Sequence, residues 1–558
     1  MRALTVVGFL FAVVALWAVT QSPSSSFDSQ PHDASLGQGE KGGRSVDEKR
    51  ALAIAFVQQQ MNEFPIPGLT LSVVYKNETV IAQGFGTKQI GHTNTPVTAS
   101  TLFQIGSYTK TFTALGIAKL VDDGRVQWND PVKQHLPWFQ LIDKYAEKYT
   151  TLADLLAMNS VLGAFEGDLA LDFAQYETER KVVEHLAFLD TTRPLRAGYA
   201  YSNLNFVVLG QVIEHMTNQT WFNFIKTTYL DPLGMDETFG APGDATDRDD
   251  LAYGHFSCNR HVIGPYSLLN STQVAVLAGS PYDASGSIVS SANDLSKLAR
   301  FLLARGHGIL TSPHLIDDMT TGHTVLQDMV IMPMDDADLL GYSIAMDGNV
   351  VAAGYAIDTV GDVMFGFDFY TKNGDMFAFK QRNGFVPSQS LGVTMAINVQ
   401  DQSAPSSTFL LDRMRSYVLG IFLDIPMVDL DNMWTHAVAH GNAIQPHDIE
   451  CDAHVYANQP WAVPSLTIPP DAKATLVGTY TTVASPGYYG NMTVAMLGNG
   501  DVALQYGAFR APLVATTNPT AFIWAIQVAG STWTVTATDL TSKPTTLTVA
   551  GVDFVRYG

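Results

Sequence analysis

The sequence predicts a mixed protein of two folded units, a large α+β domain over about residues 46–425 and a small all-β domain over 469–558. Three observations predict it. The chain has 558 residues, 46% of them hydrophobic and 15% charged, which is enough apolar material for a large core and too little charge density for a disordered chain. Up to about residue 425 the apolar positions alternate between period two and a helical period. From about Ala474 the texture changes to short β-like runs between Gly, Asn and Pro turns.

Taken in order, Met1-Arg2 and the apolar run Ala3–Val19 read as a secretory signal peptide over 1–20, with an uncleaved signal anchor as the alternative. Residues 21–45, rich in Ser, Gly, Gln and Asp, read as a flexible leader. A helix is expected after Ser45, with Asp47 and Glu48 in its first turn and Leu52, Ile54, Val57 and Met61 among its apolar positions. Strands are expected at Leu69–Tyr75 and Thr79–Phe85, joined by a tight hairpin at Lys76-Asn77-Glu78. A helical period runs from Phe103 to about Val121, and further helices are expected at Leu152–Met158, Leu204–Met216 and Asp294–Leu303. Strands return between about Asp362 and Val399, and a helix at about Thr408–Leu423 closes the unit. Residues 426–468 show neither period and read as a linker. Runs such as Met492–Leu497, Phe522–Val528 and Thr532–Thr538 then predict a small barrel or sandwich.

The formal net charge is −21. Phosphate binding needs clustered Lys and Arg, so nucleic acid is excluded as the main partner, and so is a basic membrane-surface patch. No stable membrane partner is expected unless the leader stays as an anchor. Two cysteines, Cys258 and Cys451, exclude a disulfide-stapled scaffold and a cysteine-built zinc array; in an oxidising compartment they are free to pair. Sequons begin at Asn77, Asn218, Asn270 and Asn491. The expected location is secreted or lumenal.

The chemistry-bearing segment is Gln104-Ile-Gly-Ser107-Tyr-Thr-Lys110, where a loop enters an apolar helix. Residues three apart at a helix start share one face, so Lys110 can reach Ser107. A desolvated Lys loses its proton more easily and can then take the Ser hydroxyl proton, while free N–H groups at the helix start suit an oxyanion. It is the chain's only Ser-x-x-Lys. Tyr201-Ser-Asn203 stands at a second loop-to-helix boundary, behind Arg196-Ala-Gly198. A phenol there can relay a proton and the Asn amide can hold a substrate carbonyl.

Gly106-Ser-Tyr-Thr-Lys110, Leu155-Leu-Ala-Met-Asn-Ser-Val-Leu162, Tyr201-Ser-Asn-Leu-Asn-Phe-Val-Val-Leu-Gly210, Pro232-Leu-Gly-Met235 and Ala284-Ser-Gly-Ser-Ile-Val-Ser-Ser-Ala-Asn-Asp-Leu295 occur in this order. Together they resemble the serine β-lactamase-related family, which includes class C β-lactamases, D-alanyl-D-alanine carboxypeptidases and similar esterases. The resemblance covers about residues 50–425. It implies a β-lactamase/transpeptidase-like fold: an antiparallel sheet flanked by helices with a helical lobe beside it, followed here by a small barrel-like domain with no catalytic role. It also implies acyl transfer on a small-molecule or peptide substrate, with Ser107 as nucleophile, Lys110 and Tyr201 sharing acid–base work, and Asn203 orienting the substrate. No cofactor or metal is implied.

The family's third motif is a strand carrying Lys or His, any residue, then Gly. Lys372-Asn-Gly374-Asp375 fits it better than Lys380-Gln-Arg382, which puts Arg where bare backbone must approach the substrate. Lys372 would hold a negative substrate end, weakened by Asp375 nearby, and the Asp375 N–H would serve an oxyanion hole. Met158 and Val161 replace the usual His and Gly, and Ala378-Phe379 replaces Gly and an aromatic. These changes motivate a second reading, a binding or scaffold protein that keeps the fold without turnover. His436, His440, His447, Asp448, Glu450, Cys451, Asp452 and His454 read as turn and linker residues, not a metal site. Tyr488, Tyr489, Trp524 and Trp533 read as packing in the β domain.

Overall fold

The computed structural model describes residues 43–191, 193–272, 274, 283–326, 351–402, 409–444, 450–541 and 545–557. The expected signal peptide, and most of the leader, lie outside them. The first helix, Val46–Glu63, starts where Ser45 caps it, its hydroxyl accepting the Glu48 N–H at 3.2 Å. Lys76 and Asn77, both at positive φ, then make the two-residue turn between the strands Gly68–Tyr75 and Glu78–Gly86. Positive φ at both central residues matches the twist of an antiparallel pair, and an Asn tolerates it better than most residues.

These strands join a largely antiparallel sheet with nine members among the described residues. Across the sheet the order is Glu78–Gly86, Gly68–Tyr75, Leu391–Ile397, Phe379–Val386, Phe367–Thr371, Ile357–Met364, Ala352–Gly354 and Thr324–Val325; the short strand Gly374–Met376 also pairs with Phe379–Val386. The strands thus return before Asp362, at Thr324–Val325 and Ala352–Gly354. The central strands are buried throughout, because both faces are covered. On one face Leu71, Val73 and Met395 pack with Val57, Met414 and Val418 of the terminal helices. On the other, Val74 and Phe385 join Phe112, Leu115, Leu204 and Val208 of the helical lobe. Alternation along a strand sends neighbouring residues to opposite cores.

Two sequence expectations are corrected. Phe103–Gln104 is a strand paired with Val289–Ser290, and the helix begins only at Thr109, since this segment is held as an extended approach before it turns. Residues 426–468 are not simply a linker: Met427–Ile444 is an 18-residue helix. Leu430 belongs to the sheet-side core, and Trp434 packs edge-on to Phe56, 5.1 Å between centroids. Packing against an existing surface supplies what the weak local pattern lacks. No helix among the described residues is long and apolar enough to cross a membrane.

The C-terminal unit is a closed barrel of eight strands, from Gly478–Thr482 to Val552–Tyr557, with the first strand paired to the last. Closure leaves no open sheet edge. Trp524 and Tyr488 are fully buried and Trp533 nearly so. The larger domain completes the barrel's core: Leu169 and Phe173 lie within it, and the Phe173 ring stacks on Trp524 at 5.2 Å and meets Trp533 edge-on at 4.9 Å. Cys258 and Cys451 form a disulfide. The sequon residues Asn77, Asn218, Asn270 and Asn491 are all exposed.

Candidate active site

Ser107 is the half-exposed middle residue of a single 3-10 turn, Gly106–Tyr108, in an otherwise buried stretch. That turn leads straight into the helix Thr109–Asp122 and sets Lys110 beside Ser107. Two glycines allow the strand Gly374–Met376 to lie against it. A Cβ on Gly106 would fall 2.6 Å from the Asp375 carbonyl oxygen, and one on Gly374 would fall 1.8 Å from that of Ile105. No side chain fits at either place, and Gly106 also sits at φ +53°. The same approach puts the Asp375 backbone nitrogen beside the Ser107 turn, 2.9 Å from where a Gly106 Cβ would stand.

Lys110 is fully buried and its ammonium donates to three acceptors: Ser107 Oγ at 3.1 Å, Asn203 Oδ1 at 2.7 Å and the Ser285 carbonyl oxygen at 2.7 Å. Burial first, then the positive charge of Lys372, hold its pKa well below the ordinary lysine value, against the pull of Asp168 and Asp358. Tyr201 donates its phenol hydrogen to Ser107 Oγ at 2.6 Å. Its pKa is driven well above the ordinary value, by burial and then by the Asp358 carboxylate, so the phenol keeps its proton. The Lys110 and Lys372 ammonium groups lie 5.1 and 4.9 Å from the Tyr201 ring centroid.

Asn203 opens the helix Asn203–Thr217, and its amide is fixed at both ends. Oδ1 accepts from Lys110, and Nδ2 donates to Asp168 Oδ2 at 2.8 Å. The Asn203 region is itself held by the Leu155–Leu162 segment. Ser160 Oγ donates to Asn205 Oδ1 at 2.8 Å, the Ala200 N–H to the Met158 carbonyl at 2.8 Å, and the Ser202 N–H to the Met158 sulfur at 3.4 Å. Met158 thus stands in a polar role within a buried turn, at φ +54°. Ala378 likewise keeps a left-handed backbone, φ +62°, at a cost of roughly 1 kcal/mol, with its N–H donating to Gln400 at 3.3 Å.

Lys372, fully buried, reaches Tyr201 OH at 3.5 Å, so Ser107, Lys110, Tyr201, Asn203 and Lys372 form one connected group. Its backbone is clamped by the Asn383 side chain, which accepts from the Lys372 N–H at 3.0 Å and donates to its carbonyl at 2.7 Å. The expected free cation is not what the fold presents. Asp358 Oδ1 lies 2.6 Å from Lys372 Nζ, and its Oδ2 accepts the Asn373 N–H at 3.0 Å. The Asp375 carboxylate turns instead to Arg382, at 2.5 Å, and Arg382 also binds Asp412 at 2.6 Å. Burial would raise the Asp375 pKa, but Arg382 and then Lys380 overcome it and hold it below the usual carboxylate range. Arg382 is thereby a buried structural bridge, not a substrate-facing group.

Asp168, Asp358 and the Ser285 carbonyl escape sequence reasoning. Ser285 lies inside a motif already quoted, whereas the two aspartates carry no local pattern. Among the described residues no group of three or more His, Cys, Asp or Glu is arranged to hold a metal ion, and Cys451 is spent in the disulfide.

With this fold and geometry in view, comparison with known proteins defines the class: residues 53–409 match the Beta-lactamase family, and the chain belongs to that family of serine hydrolases. The chain is 28% identical over 363 residues to unguisins hydrolase ungD' of Aspergillus campestris (strain IBT 28561), a match covering 64% of this chain and 62% of that protein. It is 26% identical over 207 residues to Protein flp of Staphylococcus aureus (strain N315), covering 35% of this chain and 40% of that one. The chain therefore spans less than two thirds of either relative. Among solved structures, the octameric penicillin-binding protein homologue from Pyrococcus abyssi aligns with TM-score 0.54 at 18% identity, over 91% of this chain and all of that one. D-amino acid amidase from Ochrobactrum anthropi SV3 aligns with TM-score 0.52 at 18% identity, over 67% of this chain and 99% of that one. The two structures share the fold.

Proposed function

We propose that this protein is a secreted serine hydrolase that acts through an acyl-enzyme on a small amide, ester or peptide. The observation that carries the reading is Ser107 Oγ held between Tyr201 OH at 2.6 Å and Lys110 Nζ at 3.1 Å. Ser107 Oγ attacks the carbonyl carbon as its proton passes to Lys110, whose lowered pKa favours the neutral amine. The raised pKa of Tyr201 casts it as a proton donor that relays to the leaving group, not as a phenolate base. The Ser107 and Asp375 N–H groups stabilise the oxyanion, and Asn203 orients the substrate. Water then cleaves the Ser107 ester. Met158 and Ala378 are accommodated where they stand, so the non-catalytic reading gains no support. Four exposed sequons and the disulfide support an oxidising, extracytosolic location.

The test is labelling by a fluorophosphonate with peptide mapping. Label is expected on Ser107 at one per chain. Ser107→Ala should lose it, with turnover falling by about a thousandfold or more. A folded wild-type protein that takes no label would sink the reading.

A further inference from the structure

Lys372 is the cation expected to receive a substrate carboxylate, yet its charge is already matched. Its ammonium is fully buried and lies 2.6 Å from Asp358 Oδ1, a pairing fixed from the other side because Asp358 Oδ2 also accepts the Asn373 N–H. Asp358 is the second residue of the strand Ile357–Met364 and keeps about a quarter of its side chain exposed, and its carboxylate acts electrostatically on the Tyr201 phenol that bonds Ser107. The groups beside it offer no substitute: Lys110 serves as the neutral amine, held by Asn203, and Arg382 is bound by Asp375 and Asp412. A carboxylate arriving here would lose its water without gaining a free cation, and would meet the negative charge of Asp358. Burying an ion without a partner is strongly unfavourable, whereas a neutral group meets no such penalty.

We infer that Asp358 is a positioning residue that acts through Lys372 to set the charge preference of the site, which takes acyl substrates uncharged at the end that meets Lys372. This rests on Ser107 being the nucleophile. In such a site Asp358 holds the Asn373 backbone, while Lys372 holds Tyr201 in place and presents its remaining donor capacity to a neutral carbonyl or hydroxyl.

The experiment compares two phenylacetyl esters that differ in one group of the leaving phenol, 3-hydroxybenzoate or its methyl ester. Comparing their kcat/KM ratio between variants cancels intrinsic reactivity. Wild type should favour the methyl ester, and Asp358→Asn should move the ratio toward the carboxylate by about tenfold or more, chiefly through its KM. Asp358→Glu should restore the wild-type ratio, and adding Lys372→Met to Asp358→Asn should abolish the gain. An unchanged ratio in an Asp358→Asn protein that still labels at Ser107 overturns the inference. Should that variant not fold, the double variant Asp358→Asn/Lys372→Met, which removes the pair together, decides: a carboxylate-to-neutral ratio within about twofold of wild type supports a cancelled charge, and a selective tenfold loss of the carboxylate substrate overturns it. If wild type neither labels nor hydrolyses either ester, the serine-hydrolase reading fails first, and the inference with it.

Discussion

At the residue scale, Asp168 joins the site to its own stability. Burial pushes its carboxyl to about 6, only partly offset by the Asn203 amide and Lys110, from an ordinary 3.8. The folded protein therefore keeps this proton to higher pH than the unfolded chain does. Stability from this group is present below about pH 4 and is lost as pH rises through 6. Two pKa units set an upper scale of about 3 kcal/mol. Asp168→Asn keeps the shape and an acceptor for Asn203, and should flatten the fall in unfolding free energy between pH 4.5 and 7; equal slopes in urea titrations of the two proteins would refute this. Ser107, Lys110, Tyr201, Asn203 and Lys372 are legible because spacing and flanking turns single them out. Asp168 and Asp358 are not, since two among 53 acidic residues acquire meaning only from the lysine and amide that the fold sets beside them.

At the scale of elements, the short helix Asp168–Asp172 works at both ends. Asp168 holds Asn203, while Leu169 and Phe173 complete the barrel core. The barrel grips the same segment: Tyr488 OH donates to the Gly167 carbonyl at 3.2 Å and the Ala508 N–H to that of Phe173 at 2.8 Å. Phe173→Ala empties a fully buried aromatic site, for which about 3–5 kcal/mol is usual. Calorimetry should show the barrel melting earlier and apart from the larger domain; a single unshifted transition would count against this. Hydrophobic runs announced the barrel's strands, but its plug comes from more than 300 residues upstream, where Phe173 reads as one more apolar residue of the lobe.

For the whole molecule, the Cys258–Cys451 bond spans 193 residues and anchors the segment between the two units. Beside it, Tyr456 OH donates to the Ser257 carbonyl at 3.1 Å, and the Thr532 N–H of the barrel donates to Asp452 Oδ2 at 2.9 Å. Closing so long a loop stabilises by about 5 kcal/mol in the chain-entropy picture. Replacing both cysteines by serine should lower the urea midpoint markedly, and reduction should do the same to wild type but not to the variant. If reduction leaves the wild-type midpoint in place, the bond is not a stabilising tether.

The amino-acid sequence by itself determined the two units, the hairpin at Lys76-Asn77, the loop-to-helix boundaries that carry Ser107, Lys110 and Asn203, and the glycine at 374, because each depends on a few neighbouring residues and their backbone preferences. Only the tertiary structure decided that Cys258 meets Cys451, that Met427–Ile444 is a helix, that Phe173 fills the barrel and that Asp358 neutralises Lys372. Those are contacts between distant segments. Strand register and packing fix them, and a carboxylate, an aromatic or a cysteine carries no local mark of the partner it will find.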